Sequence, residues 1–208
     1  MGFLSGLKKL SDAVGTLNQA AGEVSQTTLE DYGTPQYSLY TALQLGELHR
    51  RIDIKDEEGN LKYYTKSSIV AIKGKTDVLD PKGRVVAHLE KRPVSLHEKH
   101  FVTMADGRKF TLSNEILHII KDITNIKGLG WQLRGNILGL NFELYDGNGD
   151  VIAVIGQKLI SIHDKYCIDI YKPEYEEIIV AILITLQHMI RDRETYSGSS
   201  GGSSSSSN

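Results

Sequence analysis

Few residues in this chain have the types and spacing that chemistry needs. His97 and His100 stand three apart, a metal-like spacing, but no cysteine lies near them. The single cysteine, Cys167, excludes an intramolecular disulfide and a multi-cysteine zinc site. It sits in a Tyr-x-Ile-x-Ile alternation, which reads as a small buried hydrophobe rather than a nucleophile. No G-x-S-x-G elbow, P-loop, H-E-x-x-H pair or dinucleotide-binding glycine string occurs, so neither a catalytic set nor a cofactor nor a metal is expected. Basic residues are the better lead. Lys91, Arg92, Lys99, Lys158 and Lys165 are candidates for one rim of a sheet, where they would take up phosphate oxygens. The competing reading is that lysines on an exposed sheet face keep it soluble and blunt its edges.

These five residues belong to an internal repeat. Asp80, Gly83, Val85, Ala87, Ser95, His97 and Lys99 recur as Asp146, Gly149, Val151, Ala153, Ser161, His163 and Lys165, and Arg92 falls opposite Lys158. The repeated unit reads as a turn, a strand with valine and alanine on one face, a second turn and a second strand. Its symmetry favours a structural role for His97 and His163 over metal binding. Between Arg51 and Arg193 short runs rich in valine, isoleucine, tyrosine and threonine break at Asp56–Gly59, Asp80–Gly83, Asp106–Gly107, Gly128–Gly130 and Asp146–Gly149. Aspartate followed by glycine suits hairpins, because the aspartate bonds its own backbone and glycine accepts positive φ. An all-β sheet or barrel is expected.

The last element breaks the pattern. After Pro173, acidic Glu174, Glu176 and Glu177 begin a helix that Arg191 and Arg193 end, matching the helix macrodipole. Between them Ile178 to Ile184 are apolar without interruption. Such a helix is buried on every side, yet its apolar stretch, at about 20 Å, is shorter than the roughly 30 Å of bilayer hydrocarbon. An antiparallel barrel closed around this helix (residues 174–191) satisfies both elements.

The flanks are different in kind. Residues 1–24 carry Phe3, Leu4, Leu7 and Leu10 at helical steps, with Lys8 and Lys9 beside them, and read as an amphipathic helix interrupted by glycines. It would contact a membrane interface, the barrel or a partner protein, and two lysines favour the latter two. Residues 25–50 read as a linker with a helical turn around Leu39–Leu48, residues 51–193 as the barrel domain, and 194–208 as a disordered serine/glycine tail. The composition is that of an ordinary globular protein: 40% hydrophobic, 24% charged, net charge −2 over 208 residues. This balance argues against a nucleic-acid partner. No transmembrane span is expected, and Gly6 stands where myristoylation needs Ser or Thr. Without an export signal the expected location is cytoplasmic, with peripheral membrane contact open.

The stretch WQLRGNILGLNFELYDGNGDVIAVIGQKLISIHDKYCIDIY and the apolar helix after it resemble the LURP-one-related family, whose bacterial members include the YxjI-type proteins. The earlier DVLDPKGRVVAHLEKRPVSLHEKHFVTM looks like the family's first copy of the same element. The resemblance spans about residues 55–192 and is most specific at Leu133–Asn141, Asp146–Lys165 and the helix. It implies kinship with tubby C-terminal domains and phospholipid scramblases, and a mainly β, closed antiparallel barrel of about twelve strands around a central hydrophobic C-terminal helix. The tubby branch binds phosphoinositide headgroups, the scramblase branch associates with membranes, and the plant branch is linked to defence. Lipid translocation is not expected, since the sequence has no cysteine-rich lipidated segment. The expected function is a non-enzymatic binding module for an anionic phospholipid headgroup or a protein at the cytoplasmic membrane face. The rival is a protein-interaction factor that docks a partner through its N-terminal segment, and an enzyme ranks last.

Overall fold

In the computed structural model each Asp-Gly turn reverses the chain as its chemistry dictates. Asp80 and Asp146 each accept the N–H of the glycine three residues on at the main-chain carbonyl (2.9 and 3.1 Å), and their side chains cap the next two free N–H groups. The structure describes residues 32–42, 51–68, 74–94, 97–113, 123–158 and 165–198.

Among the described residues these turns separate twelve strands: β1 (Tyr37–Ala42), β2 (Asp53–Lys55), β3 (Leu61–Ser68), β4 (Lys75–Leu79), β5 (Val85–Val94), β6 (His97–Met104), β7 (Lys109–Ser113), β8 (Ile123–Ile126), β9 (Trp131–Asn136), β10 (Asn141–Tyr145), β11 (Val151–Lys158) and β12 (Lys165–Ile170). A 3₁₀ turn (Pro173–Tyr175) leads into helix α1 (Glu176–Gly198). All strands lie in one antiparallel sheet, in the order β7-β6-β5-β4-β3-β2-β1-β12-β11-β10-β9-β8.

The sequence repeat is a structural repeat. Strands β4 and β5 correspond to β10 and β11, and both hairpins carry a register shift at the same place, Val78/Leu79 and Leu144/Tyr145. One half of the sheet is β2 to β7. The other is β8 to β12, and its sixth strand is β1, paired with β12 from Tyr37↔Ile170 to Ala42↔Lys165. After β12 the chain turns inward as α1, so the position that β7 fills in the first half is filled by an earlier part of the chain.

This corrects the sequence reading of residues 25–50 as a linker with a helical turn around Leu39–Leu48. Residues 37–42 are strand, the compact unit begins at Gln36, and Met1–Pro35 form a separate unit almost wholly outside the described residues. The leucine spacing suggested a helix, but Tyr37, Leu39 and Thr41 alternate with Ser38, Tyr40 and Ala42. A place between two strands rewards that alternation.

Among the described residues the two free edges, β7 and β8, meet through one bridge: the Thr111 N–H donates to the Lys127 carbonyl at 2.9 Å. Gly128 makes the approach possible, because a Cβ there would stand 2.6 Å from the Lys109 carbonyl oxygen, and its φ of +102° suits glycine. Inside the nearly closed barrel runs α1, with every residue from Ile178 to Leu186 buried. Its apolar side chains form one core with residues from all twelve strands, from Leu39 on β1 to Ile168 and Ile170 on β12. No helix among the described residues is long and apolar enough to cross a membrane.

Candidate functional site

Because all neighbouring strands are antiparallel, the barrel has two rims of different character. At the entrance rim, where α1 begins, charged side chains are spent on holding the helix. Lys172 donates to Asp146 (2.8 Å) and Asp150 (2.7 Å), and Arg84 binds both Asp80 and Glu177 at 3.0 Å. Positions 84 and 150 are repeat equivalents of opposite charge, and each pairs with an opposite charge at the start of the helix. The Tyr37 and Tyr63 hydroxyls both donate to Glu176, and burial, with the Glu176 carboxylate beside them, pushes both phenols up. Burial raises Asp146 too, but the Lys172 ammonium and the Asp150 and Asn148 N–H groups outweigh it and hold its carboxyl below the usual value. Trp131 packs edge-on against Tyr175, with ring centroids 5.0 Å apart.

The exit rim is built otherwise. It gathers the strand ends at Ala42, Ser68, Val94, Ser113 and Lys158. Below it the barrel interior turns polar. Thr41, Thr65, Thr76 and His100 are buried on the strands, and Gln187 on the helix. Lys91 reaches Asp192 of α1 at 3.0 Å. His188 as a whole residue keeps some solvent contact, yet burial of its imidazole, with Arg191 and His100 nearby, pushes its pKa down to about 3.

The sequence-derived basic residues gather at this rim. Strand register sets Arg92 directly opposite Lys99 on β5 and β6, and Lys158 directly opposite Lys165 on β11 and β12. Their surroundings differ. Lys91 is committed to Asp192. Arg92, on the outer face, binds Glu90 at 2.5 Å and lies 5.2 Å from the Phe101 ring. Lys99 is half-buried, and the side chains of Lys158 and Lys165 lie outside the described residues. Phe3, Leu4, Leu7, Lys8 and Lys9 lie outside them altogether, as do the tail beyond Gly198 and His163.

Of the histidines singled out by sequence, His100 is buried, and the side chain of His97 lies outside the described residues. Among the described residues no cluster of three or more potential ligands could hold a metal. A His–carboxylate pair forms between His88 and Asp77 (2.7 Å), on an exposed strand surface. Cys167 is buried, as expected, but outside the helix-centred core, and its thiol donates to Asp169 (3.1 Å). Ser38 donates to the same oxygen at 2.5 Å. Sequence reasoning missed this partnership because β1 was not recognised as the neighbour of β12. It also missed Ile123 and Leu138, the large hydrophobic residues that stand exposed among the described residues. The signal for Leu138 was present: an apolar residue in a turn between Gly135 and Gly139.

The sequence matches the model of the LURP-one-related family over residues 42–187. Among curated proteins none matches. The X-ray structure of a protein from Arabidopsis thaliana is similar at 16% identity and a TM-score of 0.43, covering 74% of this chain and 91% of that one.

Proposed function

Since this chain belongs to the LURP-one-related family, we propose that it is a non-enzymatic binding module whose exit rim recognises an anionic, phosphate-bearing lipid headgroup at the cytoplasmic face of a membrane. The observation that carries this reading is the register. Like charges directly opposite each other on neighbouring strands repel and cost stability. Here the arrangement occurs twice, Arg92 against Lys99 and Lys158 against Lys165, at equivalent positions of the two halves and on the same rim. Glu90 offsets part of the first repulsion by binding Arg92. An anion placed between the members of each pair would turn repulsion into charge-assisted hydrogen bonds.

The test is flotation of the full chain with vesicles of phosphatidylcholine alone or mixed with phosphatidylserine. The protein floats with the acidic vesicles only, and salt weakens the association, since the contact is between exposed charges. Each basic residue near an anionic surface contributes about 1 kcal/mol, so Lys99→Ala with Lys165→Ala weakens binding about thirtyfold. Folded protein that stays at the bottom of the gradient with both vesicle types removes the lipid reading.

A further inference from the structure

Near its exit end α1 is tied to the wall by one ion pair, Asp192 to Lys91 on β5 at 3.0 Å. One, two and three turns earlier on the same helical face come His188, Thr185 and Ala181. Alanine is small, and the Thr185 hydroxyl turns back onto its own helix, donating to the Ala181 carbonyl at 2.7 Å. Both residues are fully buried and ask nothing polar of the wall. They let the helix lie close to β5 and β6, the strands nearest to it. The same closeness carries His188 and Asp192, further along that face, against the inner ends of these two strands.

What His188 meets there is mostly cationic. Lys91 and His100 stand directly opposite each other on β5 and β6, and His100 is 3% exposed. Glu90 and Arg92, on either side of Lys91, fall on the outer face by alternation. The groups that act on the His188 imidazole are therefore Lys91 from β5, His100 from β6, and Arg191 and Asp192 from α1 itself. Asp192 favours a proton on it; Arg191, His100 and Lys91 oppose one, and burial opposes it more strongly than any of them. A protonated imidazole gains by moving into water, and it sits one turn from the aspartate that ties the helix to the wall. From this cluster we infer that the end of α1 is an acid-sensitive latch: the Lys91–Asp192 pair closes it over the His188 imidazole, and protonation of His188 releases residues 187–198 from β5 and β6 while the helix before them stays enclosed. Met189 and Ile190 are buried at the same level and leave with it, so the released form is a minor one near neutral pH. The segment from Ile178 to Leu186 keeps its place in the core shared by all twelve strands.

Hydrogen exchange of the full chain, followed peptide by peptide and corrected for the intrinsic effect of pH on amide exchange, tests the latch. Latched His188 titrates at about 3 and released His188 at the ordinary 6.5, so the released fraction grows about tenfold between about pH 7.5 and 5.5. Corrected exchange at residues 187–193 rises by that factor, and exchange at 178–186 does not change. His188→Gln keeps a polar side chain that takes up no proton, and it removes most of the rise. His88→Gln, at the exposed pair with Asp77, leaves the rise as in the parent. Asp192→Asn cuts the tie and speeds exchange of the same amides already at pH 7.5. The latch is overturned by a rise spread evenly along α1, by a rise that His188→Gln keeps in full or that His88→Gln removes equally, or by parent-like exchange of Asp192→Asn at pH 7.5. Should His188→Gln not fold, the parent decides alone: a rise confined to the end of the helix supports the latch, and an even one overturns it.

Discussion

His188 is the residue whose surroundings most alter its chemistry. Enclosed near Arg191 and His100, its imidazole has a folded pKa of about 3 against an ordinary value of 6.5. Below the ordinary value the unfolded chain binds a proton that the folded one refuses, so stability falls as the pH drops from about 6.5 toward 3. The ceiling on that slope is about 1.4 kcal/mol per pH unit for one group. His188→Leu should therefore show a smaller fall in urea midpoint between neutral and mildly acidic pH than the parent, and equal falls would show that another group dominates the titration. At this scale the sequence was only partly legible. The repeat made Arg92 the equivalent of Lys158 and Lys99 that of Lys165, an equivalence that follows from spacing and that the strand register keeps. The sequence did not foresee that Lys91 would be bound to Asp192 on a helix 101 positions away, since that contact exists only once α1 lies inside the barrel.

Elements were more legible than contacts. Turn chemistry located the hairpins, and the unbroken apolar run from Ile178 located the enclosed helix, because each signal is local and matches the burial it finds. Strand β1 escaped because its partners, β2 and β12, give no local sign of needing a strand between them. The omission has a measurable consequence. A chain lacking residues 1–50 loses β1, parts β2 from β12, and exposes Ile54 and Ile168, both fully buried in the intact protein. Burial of each such side chain is worth about 1.5–3 kcal/mol, so this truncation should be insoluble or lack a cooperative melt. A chain that starts at Gln36 keeps the strand and should melt cooperatively. Cooperative melting of both would mean that β1 is dispensable.

For the molecule as a whole, the division of labour between the rims follows from the sheet closing on itself with all strands antiparallel. One rim spends its charges on fastening the helix; at the other the register sets position 92 opposite 99 and position 158 opposite 165. The fastening has one weak place. Where ten interior strands each have two hydrogen-bonded neighbours, β7 and β8 face each other across the Thr111–Lys127 bridge. Like a cuff held by one button, the wall should loosen there first. Deuterium should enter the β7 and β8 amides well before those of β1 and β12 on the far side, and Gly128→Ala, which crowds the button, should hasten uptake at those edges with little change elsewhere. An opening of this kind bares the flank of α1 without pulling the helix from either end.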